Sequence, residues 1–139
     1  MRQRGFSLIE VVIVGIIFGV AMTLALARWQ GYNAQQRLRF GTAQVATDLR
    51  TAQERAKAER APYTVTFTAS SSAYTVARSG GGFVENTSLP DTVVATADQV
   101  VTFSAFGRPD AARTITVQNS FGTASASINA TGGITYQTP

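Results

Sequence analysis

The chain has 139 residues, twelve Lys or Arg against eight Asp or Glu, and neither cysteine nor histidine. Without those two residue types, a Ser/His or Cys/His nucleophilic pair is excluded, and the commonest general base and metal ligand is missing. Charged residues are only 14% of the chain, and Ser, Thr, Ala and Gly abound. This composition fits an extracytoplasmic β-rich module better than a cytoplasmic enzyme, although no disulfide staples it where the compartment would permit one.

The first element is a membrane-spanning helix. Arg2 and Arg4 precede Gly5, and Phe6 to Ala27 then runs apolar for 22 residues, broken only by Ser7, Glu10 and Thr23. Such a helix reaches ~33 Å, enough for a hydrocarbon core of ~30 Å. Arg2 and Arg4 are expected to hold the N-terminus on the cytoplasmic side, leaving the rest across the membrane. Gly15 and Gly19 have the spacing that lets membrane helices approach closely. Glu10 is out of place in lipid. A capping box, with Ser7 as N-cap and Glu10 three residues on, makes it tolerable but supplies no reason for it. A secretory signal peptide cut after Ala25-Leu26-Ala27 is the rival reading. Its apolar region is normally shorter, at about 7–15 residues, and does not hold a glutamate.

Arg28 to Arg60 continues as helix, without proline. Leu38, Val45, Leu49, Ala52 and Ala56 form one narrow apolar stripe, suited to lying on a sheet. Arg50, Glu54, Arg55, Lys57 and Glu59 read as a solvated face with local ion pairs. Gly31 and Gly41 are candidate bends, and Ala61-Pro62 ends the helix. Residues 28–60 carry a net charge of +4, whereas residues 61–139 carry −1. The basic balance therefore lies next to the span, where Arg28, Arg37 and Arg39 read as anchors near lipid headgroups.

From Pro62 the apolar period becomes two. Tyr63-Val65-Phe67 and Tyr74-Val76 alternate with threonine, and Ser70-Ser71-Ser72 is a hairpin turn between them. Gly80-Gly81-Gly82 is a flexible break, and Leu89-Pro90-Asp91 is another turn. Short strands are expected around Val93-Val94, Val100–Phe103, Thr114–Val117, Ala124–Ile128 and Ile134–Tyr136. Phe67, Phe83, Phe103 and Phe121 are expected in the core. The fold class is α+β: a long N-terminal membrane-spanning helix packed by its C-terminal half on an antiparallel sheet or small sandwich. The expected divisions are 1–5, 6–27, 28–61 and 62–139.

Two stretches carry a family resemblance. Arg4-Gly5-Phe6-Ser7-Leu8-Ile9-Glu10-Val11-Val12 resembles the processing site of type IV pilins and type II secretion pseudopilins. That resemblance implies that residues 1–5 are a leader, cut between Gly5 and Phe6 by the prepilin peptidase, with N-methylation of Phe6. It also implies that Glu10 pairs with the Phe6 amine of a neighbouring subunit during filament assembly. Asp48-Leu49-Arg50-Thr51-Ala52-Gln53-Glu54-Arg55-Ala56, then Val65-Thr66-Phe67, Leu89-Pro90, Val101-Thr102-Phe103 with Gly107, and Gly132-Gly133, resemble the landmarks of GspH/FimT-like minor pilins and pseudopilins. Ala27 stands where many pilins have a helix-kinking proline.

The function implied is structural. The chain is expected to be a minor subunit that primes or caps a type IV pilus or type II secretion pseudopilus, without catalysis or cofactor. Its expected partners are the prepilin peptidase, other pilins or pseudopilins through the N-terminal helix, and the inner membrane, with the β-domain in the periplasm or outside. Alternatives are a subunit of a DNA-uptake (competence) pilus, or a membrane-anchored β-domain that binds an extracellular ligand. DNA is not an expected partner, because the tail after Gly133 has no lysine or arginine, and Arg108 and Arg113 are the remaining candidates. Asp91, Asp98 and Asp110 match no calcium-loop spacing, and Gly80-Gly81-Gly82 lacks the lysine of a phosphate-binding loop.

Overall fold

The computed structural model describes residues 7–138, and for Leu26 and Ala27 the backbone alone. One helix, α1, runs from Leu8 to Glu59 without interruption, passing through Ala27, Gly31 and Gly41. Eight strands follow: β1 (Tyr63–Phe67), β2 (Ala73–Arg78), β3 (Val84–Ser88), β4 (Val94–Ala95), β5 (Gln99–Phe103), β6 (Arg113–Asn119), β7 (Gly122–Ile128) and β8 (Ile134–Gln137). The chain divides into two compact units within α1, one ending at Asn33 and the other beginning at Ala34.

In the first unit the described large apolar side chains of α1, from Leu8 to Leu24, are all exposed. A helix that is apolar all round and covered by nothing belongs in lipid or against other helices. By length and composition α1 can cross a membrane.

The second unit is α+β. Its strands form two antiparallel four-stranded sheets, ordered β3-β2-β1-β5 and β4-β6-β7-β8. The stripe Leu38, Val45, Leu49, Ala52 and Ala56 is fully buried, with Ala46 and Thr42 beside it. Thr42 is tolerable there because its hydroxyl donates to the Leu38 carbonyl at 2.8 Å, one turn back.

The period-two reading fixes which strand residues face this helix. Tyr63, Val65 and Phe67 of β1 point inward, as do Tyr74 and Val76 of β2, Val101 and Phe103 of β5, Ile115 and Val117 of β6, and Ala124, Ala126 and Ile128 of β7. Thr64 and Thr66 of β1, Thr114 and Thr116 of β6, and Ser125 and Ser127 of β7 take alternate positions. Phe67 stacks on Tyr74 with ring centroids 4.9 Å apart.

Phe121 is a correction to the expected core, being 53% exposed. It sits in the tight turn between Asn119 and Gly122, where the Asn119 side chain accepts its backbone N–H at 2.9 Å. A residue at a turn tip follows turn geometry and not the inward alternation of the strands. Phe83 is half-buried at the edge of the core.

Candidate functional site

The N-terminal motif runs into the start of α1 at Leu8. Gly5 and Phe6 lie outside the described residues. Ser7 precedes the helix, and its carbonyl accepts from the Glu10 N–H at 3.0 Å and the Val11 N–H at 3.3 Å. Ser7 thus occupies the N-cap position and Glu10 the third helical position, the spacing of a capping box. Glu10 is in the first turn and exposed. Its carboxylate stands at the positive end of the helix dipole, and the apolar side chains of Leu8, Ile9, Val11 and Val12 around it are exposed as well. The site is a charged group on an uncovered apolar rod, which needs a partner in any low-dielectric setting.

The second set of landmarks falls where α1 is latched to the sheets. At Gly41 an added Cβ would come within 3.3 Å of Pro90 Cδ and Val93 Cγ1 and 3.7 Å of Leu89. Leu89-Pro90 is therefore the loop that presses on the helix, where a side chain at 41 would require Pro90 and Val93 to give by a few tenths of an ångström. Further along, Gln53 Nε2 donates to the Gly107 carbonyl at 2.8 Å and the Gly132 carbonyl at 3.1 Å, tying two loops to one side chain. Both glycines have positive φ, 74° and 92°. A Cβ at Gly107 would fall 2.4 Å from Lys57 Cε, and one at Gly132 would fall 2.5 Å from Gln53 Nε2. Arg50 donates to the Ile134 carbonyl at 3.0 Å, fixing the start of β8.

The face read as solvated is only partly so. Glu54 and Lys57 pair at 2.9 Å in the expected way. Arg55, however, lies 4.3 Å above the Phe83 ring centre and 3.8 Å from Glu85, while Glu59 reaches Arg78 at 3.6 Å. Asp48 accepts the Tyr74 hydroxyl, and Gln44 bridges Tyr74 and the Ser88 carbonyl. Burial, then the Asp48 carboxylate, pushes the Tyr74 phenol well above its ordinary range. These contacts moor β2 and β3 to α1. Sequence reasoning missed them because a polar residue beside an apolar stripe carries no periodic signal of its partner.

The aspartates and arginines singled out in the loops have structural partners. Asp98 accepts the Ala69 N–H at 2.7 Å. Asp110 pairs with Arg113 at 2.7 Å and accepts the Thr102 N–H at 3.3 Å, closing the β5–β6 loop onto β5. The Arg113 guanidinium holds the Asp110 carboxyl below its ordinary range. Among the described residues no three acidic side chains are grouped to hold a metal. Arg113 is committed to its ion pair, which leaves Arg108 as the exposed cation of that loop.

Comparison with known proteins bears on both parts of the chain. Residues 1–26 match the prokaryotic N-terminal methylation motif. The structure is similar to the crystal structure of the type IV minor pilin FimU of Pseudomonas aeruginosa, with TM-score 0.62 and 17% sequence identity over 76% of this chain and 92% of that one. At this identity the likeness is one of fold, an α+β pilin fold with one long N-terminal helix packed on antiparallel sheets. No curated protein matches the sequence.

Proposed function

We propose that this chain, which carries a prepilin methylation motif ahead of a minor-pilin fold, is a structural subunit of a type IV pilus or a type II secretion pseudopilus. One observation supports the reading: the methylation motif, residues 1–26, takes in the start of an apolar helix whose described large side chains are uncovered and which continues into the compact α+β unit. In this account the prepilin peptidase cuts between Gly5 and Phe6 and Phe6 is methylated. The released helix anchors the chain in the inner membrane until it enters a filament, where the helix packs among those of other subunits. Glu10 then accepts the Phe6 ammonium of a neighbour, an ion pair that a low-dielectric core makes costly to break. The domain from Ala34 onward is displayed outside and primes or caps the assembly without catalysis.

The processing step is tested on protein recovered from native membranes, by intact mass and N-terminal sequencing. The expected mature chain starts at Phe6 with one added methyl group. A chain starting at Arg28 would contradict the reading and make residues 1–27 a cleaved signal peptide.

A further inference from the structure

Two of the four sheet edges among the described residues are covered by the chain itself. The Ser70 N–H donates to the Ala95 carbonyl at 2.9 Å and the Ala95 N–H to the Ser71 carbonyl at 3.0 Å, which covers β4. Asp110 covers β5 at Thr102, its N–H donating to the Thr102 carbonyl at 2.9 Å and its carboxylate accepting the Thr102 N–H at 3.3 Å. β3 and β8 have no such cover. The Arg78 N–H donates to the Phe83 carbonyl and the Leu89 N–H to the Ser72 carbonyl, one bond at each end of the β2–β3 ladder. By the alternation of antiparallel pairs, the N–H and C=O of Val84, Asn86 and Ser88 then point away from β2. The bond from the Asn129 N–H to the Gly133 carbonyl likewise turns those of Ile134 and Tyr136 away from β7. Gln44 reaches the Ser88 carbonyl and Arg50 the Ile134 carbonyl, each at 3.0 Å. Among the described residues nothing bonds the outward backbone groups of Val84, Asn86 and Tyr136.

The two open edges flank the helix of this unit, since Gln44 and Arg50 stand about 120° apart around it. Both strands run against the helix. The chain enters β3 from Phe83, under Arg55, and leaves it at Ser88, beside Gln44. β8 starts at Arg50 and runs back along β7, whose first residue, Gly122, lies by Leu38. The flanks differ in charge. Beside β3 are Asp48, Glu85 and Asp91 against Arg37 and Arg55, with Glu59 paired to Arg78. Beside β8 are Arg39, Arg50 and Lys57 against Glu54. Arg37 belongs to the first set because it lies two turns before Gln44, and Arg39 to the second because it lies three turns before Arg50. The β3 flank is net acidic and the β8 flank net basic.

We propose that the β3 edge pairs with the β8 edge of a second copy of this chain, as parallel strands. With Val84 opposite Thr135 and Asn86 opposite Gln137, the Tyr136 N–H donates to the Val84 carbonyl and the Asn86 N–H donates to the Tyr136 carbonyl. The acidic flank of one copy then meets the basic flank of the other. A two-fold β3–β3 pair is antiparallel and reverses one helix against the other, which two chains anchored the same way in one membrane do not permit. The inference therefore rests on α1 being the membrane anchor. The contact joins two different surfaces, so it repeats from copy to copy.

The absence of cysteine allows a directed cross-link. Val84→Cys and Thr135→Cys versions of the full chain are mixed in phospholipid vesicles and gently oxidised. Co-flotation with the vesicles reports the anchor, and disulfide formation reports the pairing, so the two failures are distinguishable. The expected product is the mixed 84–135 dimer, with little 84–84 or 135–135 dimer. Asn86→Pro in the Val84→Cys chain removes one outward N–H and no bond to β2. It should lower the mixed-dimer yield roughly fivefold or more, whereas Asn86→Ala should keep it. Thermal unfolding of the Pro and Ala chains checks that the unit stays folded. Glu85→Lys reverses the charge of the β3 flank with the backbone untouched, and should lower the yield as well. Floating chains that form no 84–135 dimer, or mostly 84–84 dimer, would overturn the proposal. So would a yield indifferent to both Asn86→Pro and Glu85→Lys, or a Val84→Cys chain that cross-links only to another protein in native membranes.

Discussion

Gln53 shows how much of this fold hangs on single polar contacts. Its amide holds the Gly107 and Gly132 carbonyls, 54 and 79 residues away in sequence. Truncation to Ala leaves both carbonyls short of a donor at the helix face. Gln53→Ala should therefore lower stability by about 1–3 kcal/mol. On a domain of this size that is a fall in Tm of at least ~4 °C, read by thermal unfolding of the purified chain. A second residue-scale test uses pH. The folded pKa of Asp110 is depressed by Arg113 below its ordinary 3.8, so the stability it contributes is present above 3.8 and is lost as pH falls through the lower folded value. Wild type and Asp110→Asn should accordingly converge in Tm on acidification and differ near neutrality. A gap that persists at low pH would contradict the assignment. Glu10 was legible from sequence, since a glutamate three residues after a serine inside an apolar run is conspicuous. Gln53 was not: its partners are backbone groups brought near by folding, and no residue pattern announces them.

At the scale of elements, α1 illustrates both what periodicity reveals and what it hides. The stripe from Leu38 to Ala56 is buried as the spacing implies, because a helix that packs on one side must repeat its small apolar residues at three and four. Its end is also legible, since Pro62 forbids continuation. The manner of stopping is not. Arg60 takes a left-handed φ of 50° and the Ala61 N–H reaches back to the Ala56 carbonyl at 3.2 Å, a Schellman closure with arginine where glycine is usual. Arg60→Gly should therefore raise stability by about 0.5–1 kcal/mol, relief of left-handed strain outweighing the looser unfolded chain. A lower Tm would show that the Arg60 side chain contributes more than its backbone costs. Most of the strands among the described residues follow from alternation and turn residues, including three consecutive glycines at φ of 98°, 90° and 93° between β2 and β3; β3 does not, its residues being mostly exposed without alternation. Their division into two sheets was not legible, because β1 pairs with distant β5 and β4 with β6, and hydrophobic alternation is the same for either partner. Phe121 was misplaced for a related reason: hydrophobicity alone does not distinguish a turn tip from a strand.

The chain has an apolar helical unit whose described large side chains are uncovered and a compact α+β unit, and its proposed function depends on that apolar helix finding partners. The apolar helix was legible from the run Phe6 to Ala27 alone. The neighbours proposed for it were not, because on that proposal they lie on other chains. Glu10 separates assembly from mere anchoring. As a cap alone, Glu10 is replaceable by Gln, which also serves in a capping box. As the partner of a neighbour's Phe6 ammonium it is not, because removing one member of a buried pair costs about 3–5 kcal/mol, on the order of a hundredfold or more in incorporation. The decisive measurement is subunit cross-linking in sheared filament fractions from cells that assemble them, comparing wild type with Glu10→Gln and following cleavage by mass. The account predicts wild-type chain cross-linked to other pilin subunits, and a Gln variant that is cleaved, folded and membrane-bound yet nearly absent from filaments. Equal incorporation of the two would reduce Glu10 to a helix cap, and absence of the wild-type chain from every filament fraction would contradict the account.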